Sequence, residues 1–494
     1  MRNTRWIIVL AMAWMVGIAN VAAQTKTITM QRAIMLAQQQ SIASMVNRNV
    51  FASAYWSYRA YRAERLPSLS FGADLANFNR SLVALQNSET GNYAYRENYA
   101  MNNTASLSLS QNITATGGTI KLYSSLNRLD QFTPAHSGTF YAQPISLSYI
   151  QPLWSFNRFK WSKKIEPKNF EAAKREYLES MESVTINAAS YFWSYVSSRM
   201  NYDMAIKNFD NSKILYRIAC ERYRLGAITK DALLQTELRM LNDSLDIAGK
   251  EVALTSACNR LCSYIGYTEG TALDPVVDYS LPDLTLDYTE VVTTALANSS
   301  FAISQEIAML EADRAVAQAK ANRGISAQIN ANFGLSNTHD QFVATYRNLR
   351  DQEIVGVSLS VPILDWGLGK GRVKMAEAQA ETTRNRQEQE MVDYQQEITL
   401  LVMKFNNQRL QCDISRRAAE LAEESYRMSV ENFSRGTISI TDMNAAQAAN
   451  DAAMQSYIAN LNNFWNYYYT IRRYTLFDYI TRTDISAEFD KLVE

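Results

Sequence analysis

Few residues in this 494-residue sequence could do covalent chemistry. Its two histidines, His136 and His339, lie in polar, turn-like stretches, and its four cysteines, at positions 220, 258, 262 and 412, include no C-x-x-C pair. Catalytic triads, histidine-ligated zinc and haem ligation need histidine or paired cysteine, so we expect no catalytic residue, no metal site and no cofactor. The chain is therefore predicted not to be an enzyme.

The charge balance and the composition narrow the class of protein further. Lysine and arginine number 49, aspartate and glutamate also number 49, and hydrophobic residues make up 47% of the chain. A neutral chain of this composition is neither a polycation nor a disordered tail, so no nucleic-acid partner is expected. Glycine (17) and proline (8) are scarce, which predicts long uninterrupted helices.

Residues 1–23 have the pattern of a secretory signal peptide. Arg2 and Arg5 precede an apolar run, and Val21-Ala22-Ala23 is a small-residue cleavage site. An N-terminal membrane anchor is the alternative, but no basic flank follows the run. Since no later stretch approaches the ~20 apolar residues of a membrane-spanning helix, we expect any crossing of a membrane to use strands.

The chain contains an internal duplication. Residues 29–78 align with residues 287–336 at an offset of 258 residues, and the stretches that end at Gly226 and Gly436 align at an offset of 210. The offsets differ by 48 residues, which indicates an insertion between about 80 and 140. We predict a first repeat at 24–266, a linker at 267–285, a second repeat at 286–476 and a C-terminal segment at 477–494.

Each repeat carries a long helix with a seven-residue apolar period. The period predicts helices from about 168 to 225 and from about 370 to 434 that coil around their neighbours. The first stripe comprises Met181, Ala188, Tyr195, Tyr202, Phe209, Tyr216 and Tyr223, and the second comprises Met391, Ile398, Phe405, Cys412, Ala419, Tyr426 and Phe433.

A second helix is predicted after each glycine. The inner face of the first of these helices is expected to comprise Leu234, Leu238, Leu241, Leu245, Ala248 and Val252. Residues 440–475 form its counterpart. Asp442 completes an S-x-x-D capping signature with Ser439, and Asp231 follows Thr229 in a similar place.

Segments of alternating apolar and polar residues predict strands. Four of them lie near 69–75, 145–149, 325–333 and 355–361. Each runs about ten residues, enough for a tilted strand to cross a bilayer. A further pair of strands is predicted at 105–113 and 119–126, with Gly117-Gly118 between them as a hairpin turn. This hairpin either joins the wall of the barrel that the strands would form or projects from the rim of that barrel. Alternation alone would also fit strands that form the core of a β-sandwich. The secretory signal and the four matched strands instead favour strands with lipid on one face.

The order of these elements resembles that of the TolC-like family of outer membrane efflux proteins. The tips are the most specific segments. Leu225-Gly226-Ala227-Ile228-Thr229-Lys230-Asp231 and Arg435-Gly436-Thr437-Ile438-Ser439-Ile440-Thr441-Asp442 look like the family's glycine turns, each followed by an aspartate that opens the descending helix.

This resemblance implies an α+β protein that assembles as a homotrimer. A transmembrane β-barrel with at least four strands per chain would be continuous with a long α-helical coiled-coil tunnel. The barrel would contact outer membrane lipid, and the helices would lie in the periplasm. The implied function is an efflux or secretion duct whose partners are a periplasmic adaptor protein and an inner-membrane transporter. Independently, four or six strands cannot close a barrel around a pore, so an oligomer is required.

The same resemblance assigns two groups of residues at the tips. Adaptor contacts are expected at Leu225, Gly226, Ala227, Arg435, Gly436 and Thr437. A periplasmic gate is expected at Asp442, Asp231, Phe433 and Ile438. Phe433 and Ile438 replace a tyrosine and an arginine that lock the mouth in the family, so we expect closure here to depend on apolar packing.

The two aspartates have competing interpretations. Three copies of Asp442 on a threefold axis would form a ring that binds cations, and mutual repulsion would raise the pKa of each carboxyl. Alternatively, Asp442 and Asp231 only complement the dipole of the helix that each begins. At the level of the whole protein, the alternative function is a structural coiled-coil or adhesive surface protein, which would not need membrane-length strands at matched positions.

Overall fold

A computed structural model describes residues 26–86, 91–133, 135–268 and 270–493. The predicted signal peptide, residues 1–23, lies outside the described residues. The chain forms two compact units. Unit 1 takes in Met1–Ala52, Lys174–Ser300 and Met391–Glu494, and unit 2 takes in Ser53–Ala173 and Phe301–Glu390.

The α-helices are α1 (Met30–Gln40), α2 (Ile42–Glu64), α3 (Arg158–Arg224), α4 (Lys230–Tyr264), α5 (Tyr288–Asn298), α6 (Ser300–Arg323), α7 (Leu368–Arg435) and α8 (Ile440–Thr475). The strands are β1 (Lys26–Ile28), β2 (Ser68–Gln86), β3 (Tyr93–Asn112), β4 (Thr119–Gln131), β5 (Ser137–Leu153), β6 (Leu273–Pro275), β7 (Ser326–His339), β8 (Arg350–Ser360), β9 (Phe477–Asp478) and β10 (Thr483–Asp484). The chain is thus rich in helix and also contains an extended sheet, which confirms the α+β class.

The two long helices predicted from the seven-residue period are present. Helix α3 has 67 residues and α7 has 68, so each is about 100 Å long at a rise of ~1.5 Å per residue. Helix α3 begins earlier than predicted because the Asn157 side chain accepts a hydrogen bond from the Lys160 amide (3.1 Å) and caps the helix.

Positions 258 residues apart have matching structural roles. Thr29 and Asp287 are the N-caps of α1 and α5, and each side chain accepts a hydrogen bond from the amide three residues later. Ser68 and Ser326 begin β2 and β7. These equivalences agree with the duplication, while the boundaries of the two repeats stay a prediction.

The two seven-residue stripes differ in burial. In α7, every predicted position from Ile398 to Phe433 is buried, including Cys412 as a small core residue. In α3, the stripe is buried at Ala188 and Tyr195 only. Nearer the tip, Ala205, Ser212 and Ala219 are buried instead. Their small side chains permit close approach of a neighbouring helix, so the predicted tyrosines lie beside the contact.

The prediction of a buried inner face on α4 is wrong for a single chain. Leu234, Leu238, Leu241, Leu245, Ala248 and Val252 are all exposed. The residues of α4 that the chain buries are Thr236, Asp243, Ala257, Leu261 and Cys262. A three-and-four spacing shows that a helix has an apolar face, but it does not show whether the same chain or another copy covers that face.

Unit 2 contains one six-stranded sheet in the order β2-β3-β4-β5-β7-β8. All neighbouring strands are antiparallel. The predicted hairpin, now β3 and β4, joins this sheet between β2 and β5. The strands have 11 to 20 residues, so most are longer than the ten predicted. Polar residues in their outer halves, such as Asn102 and Asn127, concealed this extension in the sequence.

The core of unit 1 is aromatic and includes a buried ion pair. The Phe405 ring lies 5.1 Å from that of Phe464, joining α7 to α8. Arg472 of α8 donates hydrogen bonds to Glu182 of α3 (2.8 Å) and to Asp478 of β9 (2.9 Å). Burial raises the pKa of Glu182, and the arginine opposes that rise. Through Arg472, these contacts attach β9, the segment after α8, to α8 and to α3.

Candidate functional site

One face of the sheet in unit 2 carries a continuous apolar row. Leu69, Leu109, Leu122, Leu147 and Phe333 are direct neighbours on β2, β3, β4, β5 and β7. They are between 38% and 68% exposed. The adjacent row on the opposite face is polar. It comprises Ser68, Ser110, Lys121, Ser148 and Asn332.

The polar face is the more shielded of the two. Ser146 and Ser108 are buried on it. The Ser70 and Ser108 hydroxyl oxygens are 2.9 Å apart, and the Asn332 amide donates to the Tyr123 hydroxyl at 3.0 Å. A water-soluble sheet buries its apolar face and exposes its polar face. The burial here is the reverse, which is the arrangement of a sheet whose outer face meets hydrocarbon.

Aromatic side chains lie beyond the two ends of the apolar rows. At one end, the Tyr99 ring lies 5.3 Å from that of Phe78 and 4.8 Å from that of Phe132. At the other end, Trp154 and Trp366 follow β5 and β8, and both are exposed. Tyrosine and tryptophan favour the boundary between water and hydrocarbon.

The two predicted tips in unit 1 are closed by the same backbone motif. The Ala227 amide donates to the Arg222 carbonyl (2.8 Å), and the Thr437 amide donates to the Asn432 carbonyl (3.0 Å). Gly226 and Gly436 have φ angles of +72° and +81°, a conformation that favours glycine. These are Schellman turns, so the prediction of tight glycine tips is confirmed.

The remaining predicted adaptor contacts lie on the same two turns. Leu225 is 77% exposed, and Ala227, Arg435 and Thr437 are exposed as well. An exposed leucine at a helix end contributes nothing to the core of its own chain. The tips therefore offer an uncovered surface.

The two apolar residues predicted for the gate, Phe433 and Ile438, pack inside one chain. Phe433 lies in a buried cluster with Leu215, Ile440 and Met443, and Ile438 packs against that cluster. The cluster joins α3, α7 and α8 next to the tip of α7. Phe433 and Ile438 thus pack within a single chain, and their role in closing a mouth stays a prediction.

Asp442 acts as part of a capping box, as its S-x-x-D spacing predicts. Its carboxylate accepts a hydrogen bond from the Ser439 hydroxyl (2.7 Å) and another from the Ser439 amide (3.2 Å). These bonds hold the pKa of Asp442 below its ordinary value. The expected rise in pKa does not occur within one chain, because the cap stabilises the charged carboxylate.

Asp231 is placed differently from Asp442. It is exposed in the first turn of α4 and accepts a hydrogen bond from the Gln235 amide at 2.8 Å. Thr229 caps this helix by accepting from the Ala232 amide at 3.2 Å. Each aspartate is therefore bonded within its own tip.

Arg222 is a further tip residue, and no pattern in the sequence predicts its role. Its guanidinium donates to the Phe433 carbonyl at 3.3 Å, linking the end of α3 to the end of α7. A Cβ added at Gly436 would lie 2.5 Å from its Nη2 atom. Arg222 lies outside the register of the apolar stripe, so no sequence pattern singled it out.

Two further polar contacts lie between the helical hairpins. Asn211 of α3 donates to the Tyr426 hydroxyl at 3.2 Å, and Asn208 donates to Asp451 of α8 at 3.0 Å. Burial raises the pKa of Asp451, which the bond from Asn208 opposes. The hairpins are thus held together by polar as well as apolar contacts.

Comparisons with known proteins identify the family resemblance. Residues 292–475 match the family described as outer membrane efflux protein. The predicted resemblance is confirmed. No curated protein sequence matches the chain.

Solved structures of outer membrane channels and proteins extend the similarity over nearly the whole chain. The Campylobacter jejuni CmeC outer membrane channel is 14% identical, with a TM-score of 0.65 over 94% of this chain and 88% of CmeC. The Vibrio cholerae outer membrane protein VceC is 14% identical, with a TM-score of 0.63 over 90% and 96%. The open Neisseria gonorrhoeae MtrE channel is also 14% identical, with a TM-score of 0.55 over 93% and 91%. At these identities the comparison shows the fold.

Among the helices in the described part of the chain, none is both long enough and apolar enough to span a bilayer.

We predict that Gly436→Ala destabilises its tip more than Gly226→Ala. Both variants place a side chain at positive φ, at a cost of ~1–2 kcal/mol. Only the Gly436 variant also meets the Arg222 guanidinium, which must move and give up its hydrogen bond to the Phe433 carbonyl. At Gly226, no described atom lies within 4 Å of an added Cβ. Hydrogen exchange of the Thr437 and Ala227 amides, which close the two turns, measures local opening. Equal acceleration at both tips, unchanged by Arg222→Ala, would contradict the Arg222 contact.

Proposed function

We propose that the protein is the outer membrane duct of a tripartite efflux or secretion system. The observation that carries this proposal is the reversed burial of the six-stranded sheet: the apolar row from Leu69 to Phe333 is exposed, whereas Ser108 and Ser146 on the polar face are buried. The family match at residues 292–475 supports the same function.

The dimensions of the sheet suit a bilayer. On β5, about 13 residues separate Phe140 from Leu153. At ~3.3 Å per residue this is roughly 43 Å along the strand, or about 30 Å across a bilayer at a 45° tilt. That distance matches the hydrocarbon thickness, and it supports placing the aromatic residues at the two membrane boundaries.

A homotrimer accounts for the surfaces that one chain leaves uncovered. The leucines of α4 are exposed, and α7 has a second exposed stripe on the side away from its buried one. That stripe comprises Leu400, Met403, Leu410, Ile414, Leu421 and Met428. Fully burying a leucine stabilises by about 1.5–3 kcal/mol. Coiled-coil packing of these stripes between copies would build a periplasmic tunnel.

The tips are the proposed contact for a periplasmic adaptor protein, which in turn engages an inner-membrane transporter. The exposed Leu225 and the two Schellman turns support this assignment, because they interrupt otherwise continuous helical hairpins. The gate is proposed to lie close by, at Asp442, Phe433 and Ile438, with Asp231 as a weaker contributor.

The alternative function, a coiled-coil or adhesive surface protein, is less well supported. It would explain the long helices. It gives no reason for a sheet whose apolar face is the exposed one.

The duct function makes a prediction about assembly. Because neither edge strand, β2 nor β8, has a second neighbour in the described part of the chain, the protein should extract with the outer membrane as a trimer. Its mass in detergent should be a little below three times the 56.0 kDa of the chain that still carries residues 1–23. Mass photometry or native mass spectrometry of the detergent complex gives the measurement. A folded, stable monomer, or a protein recovered without membranes, would sink the proposal.

Adaptor docking can be tested by site-specific photo-crosslinking in intact cells. A crosslinking residue at Leu225 should yield a covalent product with a periplasmic adaptor protein, identified by mass spectrometry. The matched control is the same residue at Leu82, which is also well exposed but lies on the sheet. Docking at the tips is refuted if Leu225 gives no adaptor product, or if Leu82 gives the same one.

Single-channel recording at different pH values separates the two roles of Asp442. If the aspartates form a ring, protonation relieves their repulsion and acidification favours closure. If Asp442 only caps α8, its lowered pKa means that the cap is intact above the ordinary value of 3.8 and is lost as the pH falls below it. Acidification should then loosen the tip.

If the three Asp442 carboxylates form a ring, Asp442→Ala should reduce both the cation selectivity of the channel and its block by trivalent cations. Asp231→Ala should have a smaller effect on both. Unchanged selectivity and block in Asp442→Ala would leave the cap as its only role.

A further inference from the structure

The hairpin of β3 and β4 occupies the middle of the sheet. Strand β2 pairs with β3 from Ser68 opposite Ser110 to Gln86 opposite Tyr93. Strand β4 pairs with β5 from Thr119 opposite Ile150 to Gln131 opposite Ser137. The hairpin therefore supplies every described connection between β2 and β5, and it is not an appendage at an edge.

The apolar row from Leu69 to Phe333 and the polar row beside it both pass through the hairpin. Leu109 and Leu122 continue the apolar row from Leu69 to Leu147, and both are exposed as their neighbours are. A hairpin that projected into water would have no reason to keep this register with the flanking strands. Its apolar positions instead form part of one surface shared by the sheet.

Both ends of the hairpin are integrated with the surrounding structure. At the turn, Asn157 donates to the Thr114 carbonyl (3.1 Å), and Gln111 donates to the Arg65 carbonyl (3.0 Å). At the far end, Tyr99 of β3 packs against Phe78 of β2. These contacts fix the hairpin at both levels where aromatic residues border the apolar rows.

We infer that the β3–β4 hairpin is a membrane-spanning part of the barrel wall, so that each chain contributes six strands. The inference rests on the proposed function. Because six is even, the edge strands β2 and β8 run in opposite directions, and β2 of one copy can pair antiparallel with β8 of a second copy. Three copies then close a barrel of eighteen strands.

The edge strands β2 and β8, which would pair between copies, both carry apolar residues on the same face of the sheet. Phe71 on β2 and Val357 on β8 lie on the apolar face of their own strands, and both are exposed. Edge pairing between copies would make that face continuous around the barrel, with lipid hydrocarbon against it. Since barrel diameter grows roughly linearly with strand number, the lumen would be about half as wide again as with four strands per chain.

Cysteine labelling in lipid tests the inference. Single cysteines are placed in a variant of the full chain whose four native cysteines are replaced, and reconstituted protein is treated with a membrane-impermeant maleimide. Leu109→Cys should label at least tenfold more slowly than its neighbour Ser110→Cys. The reference pair on β7, Phe333→Cys and Asn332→Cys, should show the same contrast. All four should label fully in denaturant.

The outcomes distinguish this inference from the function on which it rests. If Leu109→Cys labels as fast as Ser110→Cys while Phe333→Cys stays protected, the duct stands but the hairpin is outside its wall. If Phe333→Cys also labels freely, the membrane placement of the whole sheet fails.

Discussion

A sheet with two unpaired edges cannot lie in hydrocarbon as a single chain, because each unbonded N–H or C=O group costs several kcal/mol there. Strands β2 and β8 are the two edges here. The proposed membrane location therefore makes the fold dependent on other copies of the chain. The same copies would cover the leucines that α4 leaves exposed, so one assembly meets both requirements.

The tip region combines backbone turns with apolar contacts at the two positions, 433 and 438, where the sequence departs from the family pattern. Where the family has a polar lock, Phe433 packs with Leu215 and Met443. The two hairpins are still joined by a polar contact, in which Arg222 at the end of α3 donates a hydrogen bond to the backbone carbonyl of Phe433 at the end of α7. Such a link tolerates a change of side chain at position 433, since only the carbonyl is needed. Separating the two hairpins of one chain at this end would break both kinds of contact.

Much of this architecture could be predicted from sequence because its signals are local. The glycine tips, the Ser439–Asp442 cap and the second seven-residue stripe follow from backbone conformation and periodicity. What covers an apolar face is not a local property, so the spacing of the α4 leucines predicts an inner face that the chain itself leaves exposed. Strand length was underestimated because polar residues continue β3 and β4 beyond their apolar parts. Arg222 acts across 211 residues of sequence, which no spacing rule reveals.

The central claim is that the exposed apolar face of the sheet contacts lipid. Electron cryomicroscopy of the protein in a lipid nanodisc tests it most directly. The account predicts three copies in a closed sheet, with acyl-chain density against Leu69, Leu147 and Phe333 and water on the serine face. A sheet outside the nanodisc, or one whose apolar face is covered by protein, would contradict it.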